Sequence, residues 1–172
     1  MSASAWAPMA AVTATLLALL GGLRWYQSSR SPHPELARKL MHMLMGLVTL
    51  SFPWLFQEAW PVVLLCGLSL AGLLGMRLSR TLSAGVGTVL YGVARDSLGE
   101  LVFPIAVALV FVMAKGDAIL FVVPVLILAL ADAMAALIGV RYGTLQYGTA
   151  EGAKSIEGSF AFFFTAFLSV HV

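Results

Sequence analysis

Asp132 stands inside a long apolar stretch, VLILALADAMAALIG over residues 125–139. A carboxylate at the centre of a membrane helix costs roughly 2.5–3.5 kcal/mol on insertion scales, so a residue of this kind is functional by default. In a helix, Asp132, Ala135, Ala136 and Gly139 fall at i, i+3, i+4 and i+7. They make a stripe of small residues beside one carboxylate, open to close approach by a second helix or by a ligand. Two readings suit it. One is a structural ion pair with an Arg or Lys of a neighbouring helix. The other is a hard divalent cation such as Mg²⁺, which takes one or two carboxylates together with phosphate oxygens.

Other polar residues gather in three segments. Lys39, His42 and Gly46 share a helical face, and Arg38 and His42 are one turn apart. Arg38 and Lys39 also read as a cationic anchor snorkelling to headgroups. His42, one turn deeper, is poorly explained that way. Residues 139–159 hold five glycines and end on Lys154, Ser155 and Ser159. Glycine lets backbone N–H groups approach phosphates, and Lys adds a point charge. A helix opening at 155–159 would aim free N–H groups and its dipole at an anion. The segment is neither a Walker A loop nor a dinucleotide fingerprint, and a flexible loop ending in a helix cap has the same composition. In the third segment, Arg95 and Asp96 read as a surface pair worth little. Glu100, at the start of a span, is a candidate second metal or hydroxyl-facing group.

The elements that must hold these groups are overwhelmingly apolar. Of 172 residues, 60% are hydrophobic and 18 are formally charged (10 basic, 8 acidic). That is 10%, against roughly 25% in ordinary globular proteins. Mean hydropathy is +0.96. A soluble domain cannot cover its surface with so few charges, and disordered chains are poor in apolar residues. The class that remains is all-α: a polytopic transmembrane bundle of about six spans, forming one integral membrane domain over 1–172. The spans fall at 7–23, 36–56 (kinked or ended by Pro53), 60–76, 101–114, 118–140 and 156–172. Polar loops are expected at 24–35, 77–100 and 141–157, with short turns at 57–59 and 115–117. Alternating these connections puts nine of the ten basic residues on one side. By the positive-inside rule that side is cytoplasmic and the N-terminus is outside. Five acidic residues join them, which points to a site facing the cytoplasm. Trp6, Trp25, Trp54 and Trp60 fall near span ends, as interfacial anchors should. The lone Cys66 excludes a disulfide framework and reads as a small buried hydrophobe. No basic run suggests a nucleic-acid partner.

Four segments follow one another in order: RKLMH at 38–42, RDSLGELVFP at 95–104, DAMAALIGVRYG at 132–143 and KSIEGS at 154–159. Together they resemble the phytol kinase, dolichol kinase and CTP-dependent diacylglycerol kinase group, which is itself similar to the CDP-diacylglycerol synthases. The resemblance runs from about Glu35 to Val172. It implies phosphoryl transfer from a nucleoside triphosphate, typically CTP, to a membrane-embedded lipid alcohol, with Mg²⁺ as the expected cofactor. Arg38 and Lys39 match the group's basic pair. Asp132 and Gly139 match its Asp and Gly seven residues apart. Lys154, Ser155, Gly158 and Ser159 match its Lys-Ser/Thr-x-x-Gly-Ser element. On this resemblance Asp132 holds the metal, and Arg38, Lys39 and Lys154 neutralise the donor phosphates. Gly139, Arg141, Gly143, Ser155, Gly158 and Ser159 line those phosphates, while His42, Arg95, Glu100 and Glu157 are accessory. The chain departs from the group in lacking the preceding hydrophobic region of longer dolichol kinases. It also ends at Val172 within a span, as a short copy would. One alternative is a cytidylyltransferase, which would join CTP to a lipid phosphate and release pyrophosphate. Another is a small ion or solute transporter, although no internal repeat is present.

Overall fold

Gly116 and Gly143 stand just past the ends of two helices, and Pro53 lies in the first turn of another. The computed structural model describes residues 5–30, 34–78, 99–149 and 152–171. In chain order these form α1 (Trp6–Arg30), α2 (Pro34–Thr49), α3 (Phe52–Leu55), α4 (Ala59–Leu78), α5 (Gly99–Ala114) and α6 (Ala118–Leu126). A wide π turn (Ile127–Ala131) then leads into α7 (Asp132–Tyr142). Two strands, β1 (Gln146–Thr149) and β2 (Gly152–Ser155), precede α8 (Ile156–Val170). Among the described residues, α1 and the continuous helix Ala118–Tyr142 are long and apolar enough to cross a membrane. At 1.5 Å per residue a helix of that length reaches about 37 Å. Shorter apolar helices occupy Ala59–Gly75, Leu101–Ala114 and Ile156–Val170.

Three expectations need correction. The chain is not purely helical. The segment 141–157, expected as a loop, contains an antiparallel hairpin in which Tyr147 pairs with Lys154 and Thr149 with Gly152. Gly152 takes φ +119 where the chain returns, a conformation that glycine adopts without steric cost. Thr149 Oγ1 donates to Gly152 O at 2.6 Å across the turn. The first helix also continues past residue 23 to Arg30. Residues 24–30 contain neither Gly nor Pro, so polarity ends the apolar span without ending the helix. Finally, α2 stops at Thr49, before Pro53. Leu50 and Ser51 bond back to Gly46 O and Val48 O, and Pro53 then sits in the opening turn of the short α3, where its missing N–H is tolerated.

The π turn begins just after Pro124. Proline has no N–H for the carbonyl one turn back, so the ladder is already loosened there. One inserted residue rotates everything after it by about 100° relative to an uninterrupted α-helix. Asp132 is the first residue after that insertion. Around it, α2 and α8 both pack on the π turn and on α7. The main core lies elsewhere, among α1, α3, α4, α5 and α6. There Phe121, buried, stacks on Phe52 at 6.4 Å and meets Phe111 edge-on at 5.2 Å. Val62, Val107 and Val125 fill the space around them. Exposed apolar side chains run along the outer faces, Val102, Ile105, Leu109 and Val112 on α5 and Phe160, Phe163, Phe164 and Phe167 on α8. Continuous faces of this kind suit lipid better than water.

Candidate functional site

The carboxylate inside the apolar helix is paired. Lys39 Nζ lies 2.6 Å from Asp132 Oδ2, joining α2 to α7 across 93 residues of sequence. The Lys39 side chain is 13% exposed and that of Asp132 48%. The close approach of the two helices has a plain steric origin. A Cβ placed on Gly46 would stand 2.2 Å from Ala129 Cβ, so only glycine at 46 lets α2 lie this near the π turn. Lys39 and Gly46 are on one face of α2, two turns apart, and Ala129 is one turn before Asp132. The ion pair between helices, raised above as the structural reading of Asp132, is therefore the contact that forms. His42 shares that face of α2 and packs edge-on against Phe103, ring centroids 4.6 Å apart.

A second group of sequence-marked residues meets where α7 ends and α8 begins. Gly158 fits against α7 because it lacks a Cβ, which would lie 2.7 Å from Ala135 O and 3.2 Å from Gly139 Cα. A Cβ on Gly143 would lie 2.2 Å from Gly139 O and 2.6 Å from Ser155 Cβ. The small-residue stripe of α7 thus receives a helix, α8. Ser155 is buried and caps α8, its Oγ accepting from Gly158 N at 3.1 Å. Gly143 N donates to Gly139 O at 3.1 Å. The amides of Gly143 and Gly158 and the hydroxyl of Ser155 are thereby engaged within the protein.

Lys154 lies exposed on β2, opposite Tyr147. Ser159 Oγ donates to Ser155 O at 3.1 Å and lies 2.6 Å from Tyr147 Oη. Glu157 Oε1 accepts from Thr144 N at 2.9 Å, from Thr144 Oγ1 at 2.5 Å and from Leu145 N at 3.3 Å. Its Oε2 is buried with no hydrogen-bond partner among the described residues. Arg141 is exposed; its Nε donates to Tyr142 Oη at 3.2 Å and its guanidinium lies over that ring. Arg38 and Glu100 belong to α2 and α5, but their side chains, like the whole of Arg95, lie outside the described residues. Asp132 and Gly139 are seven residues apart on α7, about 10 Å along its axis, so the two groups occupy neighbouring stretches of one helix. Sequence reasoning missed Tyr147, Thr144 and the Gly46–Ala129 contact. The alternation of Tyr147 and Thr149 around Gly148 was the available sign of the strand.

Mg²⁺ fits this donor set only as a one-carboxylate site. Among the described residues no three His, Cys, Asp or Glu side chains gather. Mg²⁺ commonly keeps one or two carboxylates and takes its other ligands from water and substrate phosphates. Asp132 satisfies that minimum, with one oxygen already in contact with Lys39.

These features define a mostly helical chain with two membrane-length apolar helices, a charged pair joining the second of them to α2, and a hairpin bearing Lys154 at the start of α8. The chain is similar to the phytol kinase of Synechocystis sp., with 31% identity over 138 residues, 78% of this chain and 56% of that protein. It thus spans a little over half the length of that curated relative. No family profile matches the chain, and no solved structure matches it.

Proposed function

We propose that this chain is a multi-pass membrane kinase that phosphorylates a lipid alcohol. The observation that carries the reading is its 31% identity to a phytol kinase across 78% of its own length. The pairing of Lys39 with Asp132 supports it, because these residues bring the expected cation and carboxylate to one point. The donor is CTP, and the acceptor is phytol, a polyprenol such as dolichol, or diacylglycerol. The N-terminus lies outside and the site faces the cytoplasm.

In the reaction, the acceptor oxygen forms a bond to the γ-phosphorus while the bond from that phosphorus to the β-bridging oxygen breaks. The nucleoside diphosphate leaves and the hydroxyl proton goes to base or water. Such a transition state is loose, so the protein mainly positions the reactants and neutralises charge. Asp132 would hold Mg²⁺ together with the donor phosphates, and the ion would supply charge neutralisation there. Lys39, released from Asp132, and Arg38 would face the phosphates from α2, and Lys154 from the hairpin. With the amides of Gly143 and Gly158 engaged internally, phosphate contact at the α7–α8 end falls mainly to Lys154 and Arg141. Asp132, Glu100 and His42 are the candidates for base. The alcohol would enter from the bilayer with its chain in lipid.

The test is an assay in membranes that crosses CTP and ATP with phytol, a polyprenol and diacylglycerol. The expected result is a phosphorylated alcohol and a nucleoside diphosphate, abolished by Asp132→Ala in protein that still inserts. Pyrophosphate release from CTP with a lipid phosphate would assign the chain to cytidylyl transfer instead. Absence of turnover with every pair, or near-normal turnover by Asp132→Ala, would overturn the proposal.

A further inference from the structure

Tyr147 has no part in the chemistry above, yet it stands directly opposite the residue that does. We propose that Tyr147 and Glu157 are positioning residues that fix Lys154 by locking the hairpin onto the first turn of α8. The role given to Lys154 rests on the kinase reading.

Strands of four residues make a hairpin that is marginal by itself, so its outer bonds decide whether Lys154 has one position or many. Five such bonds are present, in three places. Ile156 N donates to Leu145 O at 2.9 Å. Glu157 Oε1 gathers Thr144 N, Thr144 Oγ1 and Leu145 N, and so holds the entry to β1. Tyr147 Oη meets Ser159 Oγ at 2.6 Å. Ser159 Oγ is also within bonding distance of Ser155 O at 3.1 Å, so the hydroxyl that Tyr147 meets is itself held on the first turn of α8. Tyr147 and Lys154 are register partners, and directly opposite residues project from the same face of a two-stranded ribbon. The tyrosine that ties β1 to α8 thus also sets the position of its neighbour.

The experiment uses the full chain purified in detergent, as wild type, Tyr147→Phe, Glu157→Ala, Glu157→Gln and Lys154→Met. Amide hydrogen exchange over 145–155 and the KM values for nucleotide and for alcohol are measured, with equilibrium binding of CTP and ATP alongside. For Tyr147→Phe, hairpin exchange and nucleotide KM should each rise about three- to tenfold, as loss of one hydrogen bond allows. The alcohol KM should stay within about twofold, because the lost bond touches only the donor side. Glu157→Ala should do more, and Glu157→Gln, which keeps an oxygen for Thr144 and Leu145, should recover most of the loss. Lys154→Met should weaken nucleotide binding while the bonds from Tyr147 and Glu157 to their partners remain. The proposal is overturned if hairpin exchange in Tyr147→Phe equals wild type. It is equally overturned if Vmax falls with the folded fraction while nucleotide KM and binding stay unchanged. If wild type phosphorylates no alcohol, the kinase reading falls separately, and exchange with nucleotide binding still decides the lock.

Discussion

Deleting the Lys39–Asp132 pair one charge at a time, and then both together, separates its structural role from its chemical one. Asp132→Ala leaves the Lys39 ammonium without its carboxylate in surroundings where the side chain is only 13% exposed. Breaking a fully buried pair costs roughly 3–5 kcal/mol, and an exposed pair is worth about 1 or less. With Asp132 48% exposed, the expected loss is about 2 kcal/mol. Lys39→Met leaves the more accessible partner alone and should cost somewhat less, about 1–2 kcal/mol. The double variant leaves no stranded charge and should return to within about 1 kcal/mol of wild type. The singles and the double therefore fail to add by about 2–4 kcal/mol, which is the coupling between the two side chains. At roughly 2–4 °C per kcal/mol for a chain of this size, Asp132→Ala should lower the midpoint of thermal unfolding in detergent by about 4–8 °C. All three variants should lose turnover. Additive losses in the double variant would refute the coupling. A stable double variant that still phosphorylates alcohols would refute any part for the pair in the chemistry.

Three further outcomes follow from contacts elsewhere. Gly46→Ala drives a methyl into Ala129 and should cost about 1–3 kcal/mol as overpacking, read as a lower unfolding midpoint; Gly46→Ala with Ala129→Gly should recover most of it. Gly158→Ala meets a backbone carbonyl, Ala135 O, which cannot rotate away, and should lower the midpoint far more than Gly148→Ala, whose Cβ meets nothing within 4 Å. Asp117→Ala removes the cap that accepts from Ile119 N and Leu120 N and should cost about 1 kcal/mol while leaving turnover per folded molecule unchanged.

Hydropathy made the helices legible, and the described helices lie over the apolar stretches with ends shifted by a few residues. The shifts have local causes. Residues 24–30 lack a helix breaker, and Leu50 and Ser51 close α2 before Pro53 is reached. The hairpin escaped because a glycine-rich composition is shared by loops and tight ribbons; what selects the ribbon is cross-strand pairing and the bonds from Glu157 and Tyr147 to α8. The alignment of α2 with Asp132 was half legible. The sequence contained both an intramembrane carboxylate and a cationic helix mouth, but not the π turn, whose extra residue resets the face on which everything from Asp132 onward falls. The stripe Asp132, Ala135, Ala136 and Gly139 survives as a face because it lies wholly after the insertion.

The glycines of residues 139–158 show how one motif can carry two meanings. From sequence they suit a phosphate cradle, since bare backbone can approach an anion. In the structure the space beside Gly139, Gly143 and Gly158 is filled by neighbouring protein; Gly139 lies within α7, and the amides of Gly143 and Gly158 are bonded internally. A glycine held by that packing tolerates no side chain whether or not a nucleotide ever binds. Its contribution to the proposed chemistry is then indirect: it brings α8 hard against α7, the helix that begins with Asp132, and so fixes the hairpin bearing Lys154 to that same helix. Cation and carboxylate can act on one triphosphate only if that seam is tight. Substitutions at the seam glycines should therefore reduce stability and nucleotide use together, whereas Lys154→Met, which leaves the seam packing intact, should act chiefly on nucleotide use.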